Sequence, residues 1–295
     1  MKYKEELNNK IKLINDYLDK IFDSFPDSQA QIIYEAMKYS VFAGGKRLRP
    51  VLMLSAFEAV GGKGEIIFPF ACAIEMIHTY SLIHDDLPAM DDDDYRRGKK
   101  TNHKVYGEGL AILAGDALLN KAYELMIKAS IDYPGKEALL AMDAIASCAG
   151  TEGMIGGQVV DLISEGRPVD LDIINFIHKN KTAAMIESSL KAGAILGQAS
   201  KEEIEALANL GYCIGMAFQI QDDILDITGD EKELGKAINS DLKNNKATFV
   251  SIKGLEESKK YVERLTRQGM DYLEILKERG NFLIWLSDYL MTRGF

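Results

Sequence analysis

Apolar residues recur at three- and four-residue intervals in segment after segment of this chain, a period that fits helices and little else. Alternating runs of Val, Ile and Thr that would mark strands are few. The pattern predicts helices at roughly 3–24, 28–43, 48–60, 66–87, 108–131, 136–163, 170–197, 201–228, 248–268 and 270–291. Breaks fall on residues that stop helices: Gly44-Gly45 and Gly61-Gly62 as C-caps, Pro50 near a start and Pro88 at an end. Residues 138–149 and 182–199 are apolar or small on nearly every face, which predicts burial inside a bundle. The expected fold class is all-α, a single large helical bundle around a central cavity, with residues 1–295 as one domain. A cavity between such helices is a natural ligand site.

Charge narrows what that site can hold. Lys and Arg total 35 against 45 Asp and Glu, a formal net charge of −10. That balance argues against broad nucleic-acid binding and obliges any anionic ligand to find local cations, from side chains or metal. Cys72, Cys148 and Cys213 lack metal-type spacing and sit among apolar or small residues, so reduced, buried thiols and a cytoplasmic location are expected. The N-terminal MKYKEELNNKIKLI reads as a charged amphipathic helix rather than a signal peptide. No apolar run approaches the ~18 residues of a membrane span, so none is expected.

Against this background the segment LIHDDLPAMDDDDYRR places six carboxylates within ten residues, directly after an apolar helical run. Asp85 and Asp91 are six apart, and an unbroken helix would set them on different faces. The turn expected at Pro88 lets the chain fold back and bring them together. A second cluster, FQIQDDILD, puts Asp222 and Asp226 four apart on one helix face, with Asp223 between them, in apolar surroundings. Unpaired carboxylates buried there would be costly or protonated, and oxygen-ligated cations resolve this. Mg²⁺ suits best, because it takes one or two carboxylates, keeps waters and shares phosphate oxygens. A di-iron bundle is the rival, prompted by Glu75 and His78 in an ExxH pattern. It needs a second such motif, and His84, His103 and His178 all lack a Glu three residues earlier.

Cations accompany both clusters. Arg96-Arg97 follow the first, and Lys236 and Lys246 follow the second. GGKRLRP adds a glycine turn that lets backbone approach a phosphate, flanked by Lys46 and Arg49 as donors. Two metal-ligand groups and two basic sets suggest two diphosphate substrates.

These motifs, with EMIHTYSLIHDDLPAMDDDDYRRGKKTNH, AGDALL, GMIGGQVVDL, HKNKTAAMI, FQIQDDILD and LGK...SDLKNNKAT, resemble the trans-isoprenyl diphosphate synthases, and among them the bacterial farnesyl diphosphate synthases. The resemblance implies that Asp85 and Asp91 bind two Mg²⁺ and that Asp222, with Asp226, helps hold a third. It implies that Arg96, Lys181, Thr182, Gln219 and Lys236 contact an allylic diphosphate, and that Lys46, Arg49, His78 and Arg97 bind isopentenyl diphosphate. Dimethylallyl and geranyl diphosphate are the implied allylic substrates, and a homodimer the implied assembly. Lys100, Ala237 and Asn239 depart from residues common in the family, without removing an expected ligand.

The implied reaction ionises the allylic C–O bond with metal on the leaving diphosphate, and isopentenyl diphosphate then attacks the cation. With no Ser/His or Cys/His pairing apparent, the released diphosphate is the expected base, with Lys181, Thr182 and Gln219 around it. Product length is expected to be set one helical turn before Asp85, at bulky Tyr80 and small Ser81. An aromatic residue at the Tyr80 position implies a farnesyl, C15, product; geranylgeranyl diphosphate is the alternative, and a catalytically silent helical subunit or a cyclase the more distant ones.

Overall fold

A computed structural model describes residues 2–228 and 248–292. The elements run α1 (Lys2–Asp23), α2 (Gln31–Val41), α3 (Leu48–Ala59), α4 (Ile67–Asp85), β1 (Tyr95–Arg96), β2 (Lys99–Lys100), α5 (Asn102–Tyr106), α6 (Glu108–Asp132), α7 (Lys136–Ala149), α8 (Met154–Ser164), α9 (Leu171–Ile177), a π-helical segment (His178–Ala183), α10 (Ala184–Leu196) and α11 (Lys201–Thr228). Helices Phe249–Lys253 and Leu255–Asp271, a 3₁₀ segment Tyr272–Gly280 and a last helix Asn281–Thr292 follow. The all-α expectation holds: the described residues contain one antiparallel two-stranded hairpin and no other sheet. Within them the chain divides into two compact units, Met1–Leu54 with Gly64–Leu139, and Ser55–Lys63 with Leu140–Phe295.

In the first unit, α1 shows how a charged sequence buries one stripe. Lys10, Ile14, Leu18 and Phe22, each four apart, turn inward while the rest of the helix meets water. By contrast α4 is buried almost all round, from Ile67 to Ile83. Its end follows from Pro88: Asp86 caps it, and the Asp91 N–H donates 2.9 Å to the Asp85 carbonyl as the chain reverses.

In the second unit, α10 is likewise buried on most faces, as its composition predicts. The 138–149 segment is not: Ala138, Ala141 and Ile145 face inward, but Leu139 and Leu140 are 55% and 50% exposed. Its expected 136–163 helix is also broken. As one stretch Lys136–Ser164 has the length and apolarity of a membrane span, contrary to the sequence reading, but the turn at 150–153 divides it into helices of 14 and 11 residues, each too short to cross a bilayer. Gly153 is required there, since a Cβ would lie 2.0 Å from the Cys148 carbonyl oxygen. The expected 248–268 helix breaks at Gly254, whose φ of +80° favours glycine. Thr248 starts it with a capping box to Ser251.

Candidate active site

The first unit gathers the acidic loop and one cationic cluster. Asp85 ends α4 half-buried, and the reversal at Pro88 folds the exposed Asp91 onto its carbonyl, so the two carboxylates share one loop. Between them Asp86 is buried and receives Arg96, whose Nε and Nη2 lie 2.7 and 2.6 Å from one carboxylate oxygen. Burial raises the Asp86 carboxyl, with Arg96 opposing. Burial also works against the Arg96 charge, but Asp86, Asp93 and Asp85 prevail and raise its pKa.

Arg96 and Arg97 are presented by the β1–β2 hairpin. Its two central residues, Arg97 and Gly98, have φ of +54° and +75°, the twist that a two-residue hairpin loop demands. Sequence reading missed this hairpin, because Arg-Gly is not among the strong hairpin dipeptides. Lys100, one of the family departures, sits exposed in β2, where its carbonyl accepts from the Tyr39 hydroxyl at 2.7 Å.

The Arg97 guanidinium donates to the Gly44 carbonyl, and a Cβ at Gly45 would lie 2.5 Å from Arg97 Nη1. The glycines therefore admit an arginine, where the sequence suggested close approach of a phosphate. Arg49 has its Nε shielded from water without a hydrogen-bond partner. Burial presses its guanidinium down to about 10, with Glu75 raising it and Arg97 lowering it further. His78 is held well below its ordinary range, by burial and then by Arg49, Arg97, Arg96 and Arg47. Lys46, next to Arg47, is exposed on the same turn. The predicted Lys46, Arg49, His78 and Arg97 thus belong to one cationic neighbourhood, suited to an anion with several oxygens.

One turn before Asp85, Tyr80 is 6% exposed. Its phenol is pushed up to about 12 by burial, Tyr123 and Asp85, and its ring packs edge-on to His84 at 5.7 Å. Ser81 donates 2.9 Å to the His78 carbonyl within α4.

The second unit holds a cavity of about 180 Å³, lined by Val169, Ile174 and Ile177 and by the polar Asp161, His178, Lys181, Thr182, Gln219 and Asp223, among others. Lys181 Nζ donates 2.7 Å to Asp161, and the Thr182 hydroxyl donates 2.8 Å to Gln219 Oε1. The π-helical turn that carries Lys181 and Thr182 is a local distortion common at functional sites. It packs so closely that a Cβ at Gly157 would lie 2.2 Å from the Lys181 nitrogen. Spacing alone missed Asp161 and His178; GMIGGQVVDL and HKNKTAAMI carried them only as parts of the resemblance.

Asp222 and Asp226 lie half-buried on one face of α11, as their spacing predicts. Asp223 turns elsewhere: it is buried, accepts the Phe249 N–H at 2.9 Å and lies 3.5 Å from His178 Nε2. His178 is lowered to about 4 by burial, only partly offset by Asp161.

Among the described residues no three Asp, Glu, His or Cys side chains converge as a ready metal cage. Two pairs of oxygen donors, Asp85 with Asp91 and Asp222 with Asp226, nevertheless fit Mg²⁺, which takes few protein ligands and leaves positions for water and phosphate. Lys236 and Lys246, and the departures Ala237 and Asn239, lie outside the described residues.

Comparison with known proteins agrees with this chemistry. Residues 30–278 match the polyprenyl synthetase family model. The chain is 50% identical over 269 residues to a heterodimeric geranylgeranyl pyrophosphate synthase large subunit of Arabidopsis thaliana, covering 90% of this chain and 72% of that one. It is 44% identical over 289 residues to a geranylgeranyl diphosphate synthase of Cyanophora paradoxa, covering 98% and 95%. The crystal structure of an FPP/GFPP synthase from Zymomonas mobilis superposes with a TM-score of 0.86 at 33% identity, over 97% of this chain and 99% of that one. A diphosphate-type cationic cluster, two carboxylate pairs and a match spanning most of the sequence lead to one conclusion: the chain belongs to the polyprenyl synthetase family.

Proposed function

We propose that this prenyltransferase elongates dimethylallyl, geranyl and farnesyl diphosphate with isopentenyl diphosphate, ending at geranylgeranyl diphosphate. The observation that carries the product length is the naming of its relatives at 50% and 44% identity as geranylgeranyl synthases. A farnesyl product is the second reading, favoured by Tyr80, buried one turn before Asp85 where a pocket floor would stand. Mass spectrometry after incubation with isopentenyl and farnesyl diphosphate separates the two: a C20 diphosphate supports the first, and farnesyl diphosphate left unused supports the second.

In this reading Lys46, Arg49 and Arg97 hold the isopentenyl diphosphate as neighbouring cations, and His78, kept uncharged by burial and the arginines around it, adds a hydrogen-bonding ring. Arg96, Lys181, Thr182 and Gln219 contact the allylic diphosphate, with Lys236 and Lys246 as further cations. Asp85 and Asp91 would hold two Mg²⁺, and Asp222 with Asp226 a third; when bound, the metal supplies Lewis-acid stabilisation of the leaving diphosphate. Lys181 and the Thr182–Gln219 pair hold that diphosphate where it can accept the proton lost at the end of each cycle. The working assembly in this proposal is a homodimer, supported by Leu113, Ile127 and Ile131 standing exposed along one face of α6. Light scattering tests it. Cys72 and Cys213 are buried as expected, whereas Cys148 is only partly so; free thiols of this kind suit a reducing compartment such as the cytoplasm.

A further inference from the structure

We infer that Arg47 and Glu75 form a buried positioning pair that holds the Gly44–Arg49 turn in the shape required by the diphosphate of isopentenyl diphosphate. The inference rests on the reading that Lys46, Arg49, His78 and Arg97 take that group.

The turn is strained. Gly44 and Gly45 have φ of +116° and +128°, and Arg47, which carries a Cβ, has φ of +51°. A side-chain-bearing residue persists in that region only when its surroundings over-determine it. Those surroundings are specific. Arg47 is 4% exposed, and each guanidinium nitrogen is engaged: Nε with Asn15 Oδ1 at 2.9 Å, Nη1 with Glu75 Oε1 at 2.7 Å and Nη2 with the Val41 carbonyl at 2.7 Å. One side chain thereby ties the turn to α1, to the end of α2 and to α4. Its nitrogens are committed to protein, so Arg47 acts on the ligand through its neighbours. Those neighbours are Lys46, directly before it, and Arg49, two residues after; rotation of the turn would displace both.

Glu75 completes the device. It is 2% exposed and three residues before His78, so both share a face of α4. The ExxH pattern that found no second metal motif therefore has another use. Glu75 fixes Arg47, while His78 lies in the field of four arginines. A carboxylate at this point also offsets cations that would otherwise repel one another before any anion arrives.

A purely structural ion pair would affect stability alone, and replacing such a pair with apolar residues is often neutral for stability. The test is the Arg47→Met/Glu75→Leu double variant, with thermal unfolding and steady-state kinetics in each substrate. The pair predicts a folded enzyme whose KM for isopentenyl diphosphate rises about tenfold or more, with KM for geranyl diphosphate within about twofold. Arg47→Lys, which retains the charge but loses the fork, should give a smaller rise. If the double variant fails to fold, Asn15→Ala removes one of the three bonds and should raise the same KM alone. Equal rises in both KM values, or no rise in a folded variant, would overturn the pair while leaving the substrate reading intact. A wild-type protein that binds no isopentenyl diphosphate in calorimetry would overturn both.

Discussion

The loop around Asp91 and the face of α11 around Asp222 both gather carboxylates, but they do so by opposite means. The first is built from turns: the reversal at Pro88, the Arg97-Gly98 hairpin and the turn from Gly44 to Arg47, with positive φ at Gly44, Gly45 and Arg47. The second is built from helix geometry, with Asp222 and Asp226 one turn apart and Lys181 and Thr182 on a π-helical turn. Turns can crowd cations that no regular element would place together, but they need anchors such as Arg47, Asp86 and Tyr39. Helices need fewer anchors, and their side chains are set by register.

The largest effect should come from removing a carboxylate from either region. Asp85→Asn and Asp222→Asn should each lower kcat by about 10²–10³-fold, read as product formed per enzyme at saturating Mg²⁺. If only Asp85→Asn does so, the helix-built pair is not a metal site and the parallel between the regions fails.

Tyr80→Ala comes next. Deleting a buried aromatic ring should cost about 3–5 kcal/mol in stability, measured by denaturant unfolding, while the product stays C20. A change from C15 to C20 would instead make Tyr80 the floor and favour the farnesyl reading.

The two perturbed histidines sharpen the contrast further. His178, lowered to about 4, stays neutral in the folded chain while an unfolded histidine protonates near 6.5. The unfolded state therefore binds more protons between about 6.5 and about 4, and stability falls as pH drops through that window, by at most about 1.4 kcal/mol per pH unit from this group. His78 is shifted in the same direction, so His178→Leu should flatten the dependence of Tm on pH only in part. Their causes differ: burial dominates at His178, whereas arginines add to burial at His78. By NMR titration, Arg97→Gln should raise the His78 pKa and leave His178 unmoved. Equal movement of both would contradict the separate causes.

The smallest effect should be at Lys104, which meets Asp94 at 2.7 Å on the exposed side of the acidic loop. Lys104→Met should leave Tm and kcat unchanged, since exposed ion pairs contribute little. A loss of activity there would mean that the loop depends on its surface contacts rather than on Arg96 and Asp86.

This contrast also explains what could be read from sequence. Helix periodicity revealed the all-α fold, and the four-residue spacing of Asp222 and Asp226 revealed their common face. Pro88 foretold the chain reversal in which the Asp91 N–H reaches the Asp85 carbonyl. Periodicity could not reveal where an apolar run bends without proline, so the breaks at 150–153 and Gly254 were missed. Leu139 and Leu140 illustrate a related gap: composition reports how apolar a segment is, but not which of its faces finds a neighbour. The partners of Arg47, Asp86 and Lys181 lie 28, 10 and 20 residues away in sequence, and no local spacing encodes them. Lys181, Thr182 and Gln219 were recognised through whole motifs, whereas Glu75 stood out only for a metal pattern that it does not serve.

The most direct test of chain elongation is release of inorganic diphosphate by the purified protein, supplied with isopentenyl and geranyl diphosphate, with and without Mg²⁺. A chain-elongating enzyme should give Mg²⁺-dependent release, one diphosphate for each isoprene unit added. No release with the metal present, from a folded protein, would contradict chain elongation and point to a helical subunit without activity of its own.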